Sequence, residues 1–144
     1  ELEEEGRGRC ERSGLELEPS SKAALLEQFE IPDRWQVWAD RLEVCRGPFR
    51  QPEQSDNRSI AVDTLAQVQG LQVGAGAEVR VVSTAKSDEA LAVGVLGVPS
   101  LFRNPHILIA TAPGVPVPRQ AGKLQWTSWA GQPLVLKGHF QQWA

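Results

Sequence analysis

The chain has 144 residues, 41% of them hydrophobic, a length and content that suit one compact core rather than two. Its formal charge of −3 is unevenly spread: residues 1 to 30 carry nine acids against four bases, and residues 31 to 144 carry nine acids against eleven bases. Such a body can touch phosphate locally but lacks the dense Lys/Arg patch that drives nonspecific nucleic-acid binding by counterion release.

Residues 1–19 combine like charges with Gly and show no sustained periodicity, so they read as a flexible acidic leader. Residues 20–144 then form a single domain. Ser20 and Ser21 cap a helix predicted from Lys22 to about Glu30, with Ala24, Leu25 and Phe29 as its apolar stripe and Pro32 as its stop. Trp35 to Cys45 reads as a strand, broken by Gly47-Pro48 and followed by a polar surface loop over residues 50–59. Residues 60–73 form a short helix or a loop, with Gly74-x-Gly76 as a turn. Residues 78–85 and 89–98 make an antiparallel hairpin around Lys86-Ser87-Asp88, and His106 to Thr111 is a third strand. A Pro/Gly-rich loop separates it from a last strand over Leu134 to Phe140. Five or more strands with one or two helices make an α+β domain with antiparallel pairing.

No apolar run reaches the roughly 18 to 20 residues of a membrane helix, and the acidic start is unlike a signal peptide. The chain is expected to be soluble and intracellular, with no membrane partner. It begins at Glu1 and contains no Met, as expected of a processed product or a piece of a longer polypeptide whose other domains are candidate partners. Cys10 and Cys45 show no CxxC spacing and there are only two His, so no metal and no cofactor are expected, and both cysteines read as free thiols. The sequon at Asn57-Arg58-Ser59 reads as a chance occurrence.

Chemistry points first to His106. It opens an apolar strand after Asn104-Pro105 and shares a face with Leu108 and Ala110, where an imidazole can act as acid or base near neutral pH. A strand-end His is also a common structural residue. The order W-x-V-W-A-D-R-L-E-V, E-V-R-V-V-S-T-A-K-S-D-E-A-L-A-V-G-V, N-P-H-I-L-I-A and L-V-L-K-G, spanning about residues 35 to 141, resembles the cyclic-phosphodiesterase domain of tRNA ligases and RNA-repair proteins. That family belongs to the two-histidine phosphoesterases. The resemblance implies two-lobed antiparallel β-sheets with a few flanking helices, each lobe giving a His-x-Thr/Ser strand to a shared cleft. One imidazole would activate water, the other would protonate the departing ribose oxygen, and the hydroxyls would hold phosphate oxygens.

Carried onto this chain, the first motif falls on Arg41 and Glu43, and the second on His106 and Leu108. Arginine cannot serve as the general base, and a carboxylate at Glu43 opposes phosphate. Arg41 reads either as a phosphate ligand or, more commonly for such a residue, as an ion-pair partner of Glu43 or Asp40. Arg103, Arg119 and Lys123 are candidates for the cleft mouth. Strand parity puts Thr111 on the face opposite His106 and Cys45 on the face of Arg41 and Glu43. His139 reads as a surface residue. The five tryptophans, Trp35, Trp38, Trp126, Trp129 and Trp143, are candidates for base stacking, and because Trp35/Trp38 and Trp126/Trp129 are spaced i, i+3, one of each pair is expected in the core.

The expected function is a degenerate RNA 2′,3′-cyclic phosphodiesterase-like domain without the parent hydrolysis. It would act as an RNA-end or nucleotide-binding or interaction module in an RNA-repair or RNA-processing protein. The alternatives are an active phosphoesterase of altered chemistry using His106 with Glu43 or Cys45, and a protein-interaction scaffold without ligand.

Overall fold

The computed structural model describes residues 10–53, 62–115 and 124–144. Eight strands and two helices follow one another as β1 (Arg12–Leu17), α1 (Pro19–Leu26), β2 (Gln36–Val37), β3 (Arg41–Arg46), α2 (Val62–Gln69), β4 (Gly76–Lys86), β5 (Ala90–Leu96), β6 (His106–Thr111), β7 (Trp126–Ser128) and β8 (Val135–Trp143). The α+β class is thus observed, with antiparallel pairing throughout. Where the resemblance implies two lobes, the strands form one continuous sheet. It runs β6-β3-β1-β8-β4-β5 and closes through a further β5–β6 pairing, giving a barrel.

The interior is filled from alternate positions of every long strand. Leu15, Leu42, Val44, Val79, Val93, Ile107, Ile109 and Leu136 are all at most 1% exposed and belong to one core cluster. β2 and β7 are short additions at one end of the barrel, β2 beside the C-terminal half of β6 and β7 beside that of β4. α1 takes over where β1 stops. Pro19 opens it, since proline's fixed φ and missing N–H suit the first helical turn. Leu25 anchors it to the core, and the Ser21 hydroxyl accepts the Lys137 N–H at 2.8 Å, so Ser21 ties the helix to β8 instead of capping it.

Three expectations change. Residues 12–17, read as part of a flexible leader, are a barrel strand paired on both edges; residues 1–9 lie outside the described residues. The β3 and β8 backbones satisfy a segment whose own periodicity is too short to declare itself. The strand expected over 35–45 is two strands, because Ala39 adopts φ 50° and steps the chain across β6. The helix expected over 22–30 ends at Leu26. Residues 60–73 do contain a helix, and the 78–98 hairpin and the His106 strand are observed. Most of the 50–59 loop, including the Asn57 sequon, lies outside the described residues, as does most of the loop after Pro113.

Strand parity is reset by register shifts. Ser13 pairs with Cys45 but Gly14 with Glu43, leaving Val44 as an extra residue in β3. Leu91 pairs with Ala110 but Ala92 with Leu108, leaving Ile109 extra in β6. A bulge of this kind turns two successive side chains the same way. Val44 and Cys45 therefore both point inward, as do Ile109 and Ala110, and all four are in the core cluster.

Gly14 is where β1 and β3 approach most closely: a Cβ there would run into the Leu42 carbonyl oxygen and stand 2.9 Å from the Glu43 Cα. Gly14→Ala should therefore cost about 2 kcal/mol or more, read as a lower urea midpoint at unchanged m-value. A midpoint equal to that of the parent chain would show that the two strands can part without loss.

Candidate functional site

The site is assembled on the outside of the barrel, where β3 and β6 lie side by side. Leu42 pairs with Ile107, and both are inward. Their neighbours are therefore outward, with Glu43 beside His106 and Arg41 beside Leu108. The register puts three of the five residues singled out from sequence, Arg41, Glu43 and His106, each half-buried, on one face of adjacent strands, with their side chains turned to different neighbours: Arg41 to Trp143, Glu43 to Arg12 and His106 to Trp126. Arg103 is exposed in the loop that leads into β6, and Lys123, like Arg119, lies outside the described residues.

His106 is oriented by its own chain. Its Nδ1 is 2.9 Å from the Asn104 carbonyl oxygen; with the proton on Nδ1, that nitrogen donates and Nε2 is left as the acceptor. On the other flank, His106 pairs with Gly94 of β5. A Cβ at Gly94 would run into Ser83 Oγ and stand 3.6 Å from Cζ3 of Trp126. The missing side chain leaves room for the Ser83 hydroxyl, and Trp126 of β7 lies close by with its ring centroid 6.0 Å from that of His106. The Trp126 Nε1–H is buried without a hydrogen-bond acceptor.

The charges nearby are arranged differently from the expectation for Arg41. Glu43 accepts from Arg12 at 3.1 Å, and Asp40 pairs with Lys22 at 2.6 Å. Both carboxylates proposed for Arg41 are thus taken by other cations. Glu16 of β1 is the register partner of Arg41, yet Arg41 forms no ion pair among the described residues. Its guanidinium lies instead over the Trp143 ring, with Cζ 4.4 Å from the centroid. The Arg12–Glu43 pair is exposed and contributes little to stability, but it offsets the carboxylate charge next to His106.

The bulges correct two further expectations. Thr111 is brought back to the outward face by the extra residue Ile109, and its hydroxyl accepts from Trp38 Nε1 at 3.1 Å, a buried bond that occupies it. Cys45 is turned inward, 1% exposed, and so leaves the face of Arg41 and Glu43. Both cysteines are free, and each sulfur lies near Ser13 or the carbonyl that Ser13 also uses. Cys10 Sγ is 3.3 Å from Ser13 Oγ, and Ser13 donates to the Gly47 oxygen at 2.7 Å, which Cys45 also approaches. Of the tryptophan pairs, Trp35 and Trp129 pack against the core, leaving Trp38 and Trp126 to their polar and imidazole contacts. His139 is exposed.

Arg12 was not singled out from sequence, being hidden in the presumed leader; Trp126 and Trp143, stacking candidates by residue type, reach the site only through strand pairings far apart in sequence. No group of three or more His, Cys, Asp or Glu suited to a metal occurs among the described residues, and no described helix is long and apolar enough to cross a membrane. Comparison with protein-family models, with curated proteins and with solved structures yields no match to this chain.

Burial pushes the Cys45 thiol up to about 11 from 9.0, with Cys10 adding to the rise and the Ser13 hydroxyl opposing it. The folded state thus holds this proton more tightly than the unfolded chain does. Its contribution is complete below pH 9.0 and is lost as pH rises from there to about 11. Stability should fall over that window by roughly 2 to 3 kcal/mol on this account, and Cys45→Ala should flatten the slope in denaturant melts taken between those pH values. An equally steep slope in the variant would assign the alkaline loss to other groups.

Proposed function

We propose that this domain binds RNA ends or nucleotides through the outward face of β3 and β6, as a degenerate relative of the cyclic phosphodiesterases that no longer runs their hydrolysis. The observation that carries the reading is the juxtaposition of Arg41, Glu43 and His106 on adjacent strands. These are the positions at which the resemblance asks for two facing motifs. That placement supports a likeness to the two-histidine phosphoesterases, although the sheet is one barrel here.

Opening a 2′,3′-cyclic phosphate needs one group to take a proton from water and another to give one to the leaving ribose oxygen. His106, with Nε2 as acceptor, can fill one of these roles or accept a hydrogen bond from a ribose hydroxyl. When protonated, it can hold a phosphate oxygen. Arg41 carries a permanent charge free of any described carboxylate, so it attracts phosphate but transfers no proton. Glu43 is ion-paired with Arg12. Binding without turnover follows from one imidazole, one fixed cation and one neutralised carboxylate.

A second reading, an active phosphoesterase pairing His106 with Glu43, is favoured by their side-by-side register. The two separate cleanly. Fluorescence polarisation with short RNAs ending in 2′,3′-cyclic phosphate or in 3′-hydroxyl should show tighter binding of the phosphate end. His106→Ala should weaken that preference by about tenfold, the scale of one charge-assisted hydrogen bond. Chromatography of the same mixtures should show the cyclic phosphate intact. Turnover lost in both His106→Ala and Glu43→Gln would establish the enzyme instead, and no discrimination between the ends at low salt would remove the binding reading.

A further inference from the structure

Resting on that reading of the His106 face, we infer that Arg41 and Trp143 form a second subsite, a stacking shelf for the base preceding the RNA end, which makes the ligand a single strand of at least two nucleotides. Arg41 belongs to β3 and Trp143 to β8, and the strand between them is β1. Their side chains meet over Gly14 of β1, the residue that pairs with both Glu43 and Gln141. Trp143 is outward and half-buried, on the same face as His139 and Lys137, with Phe140 and Leu136 turned into the core.

A guanidinium lying on an indole has one face covered and the other available, and flat cations of this kind are platforms for unstacked bases. No described carboxylate is ion-paired with this one: Glu43 and Asp40 are engaged by Arg12 and Lys22, and its register partner Glu16 forms no salt bridge with it. Stacking of this sort tolerates any base, because each offers a π-face. The shelf lies over β1, two interstrand spacings from β6, or roughly 10 Å. That is too far for the base of a nucleotide whose own terminal phosphate sits at His106, and a span suited to the base before it. Between the two subsites the strand would cross the Arg12–Glu43 pair, where the carboxylate is already offset.

The test compares a 2′,3′-cyclic mononucleotide, a dinucleotide with the same end, and a dinucleotide ending in 3′-hydroxyl, titrated against the parent chain, Trp143→Ala and Trp143→Phe. In the parent chain the second nucleotide should tighten binding about tenfold. Trp143→Ala should erase that increment and Trp143→Phe should recover part of it, with circular dichroism confirming that both variants keep the sheet. The same increment in Trp143→Ala and parent chain would overturn the shelf. A Trp143-dependent increment seen equally with the 3′-hydroxyl dinucleotide would retain the shelf and overturn the end-binding reading. Absence of binding to all three ligands would overturn both.

Discussion

β6 is hydrogen-bonded along both edges, to β5 on one side and to β3 and β2 on the other, and this double engagement closes the sheet. Without it the strands would lie as an open sheet ending at β5 and β6, with their backbone groups facing water. Closure also places Ile107 and Ile109 in the middle of the core, where they meet side chains from every other long strand. The same strand holds His106 on its outer side, so the residue of most chemical interest is carried by a strand paired along both edges. Its position is set by core packing rather than by a loop.

Given that frame, single extra residues decide which side chains reach the outer face. Val44 sends Cys45 inward and Ile109 returns Thr111 outward, reversing what strict alternation implies for both. Alternation held where no bulge intervenes: Arg41, Glu43, His106 and Leu108 share one face as their spacing suggests. A bulge leaves no mark in a single sequence, because its cause is the twist of a closed sheet, a property of six strands together. The β4–β5 hairpin and β6 were readable because each is a long apolar or alternating run bounded by turn residues. β1 was not, since Arg12-Ser13-Gly14-Leu15-Glu16-Leu17 offers two large apolar residues and owes its strand conformation to neighbours 25 or more positions away.

The candidate site divides along the same line. His106 and its neighbours on β3 were visible as residue types at suggestive spacing. The contacts that surround them were not: Arg12 pairs with Glu43, Trp126 lies beside the imidazole, and Trp143 lies under the Arg41 guanidinium. Two glycines beneath this surface have no room for a side chain, Gly14 against the β3 backbone and Gly94 against Ser83.

The brevity of β2 and β7 bears on how the molecule behaves in a crowd of its own copies. Among the described residues these two strands pair along one edge alone, and they are two and three residues long. Another chain adding itself at either edge would gain only a few backbone hydrogen bonds, too few to offset the ordering of an extended segment. A fold built almost wholly from strands, the architecture most prone to growing by edge-to-edge addition, thereby offers little purchase for such growth.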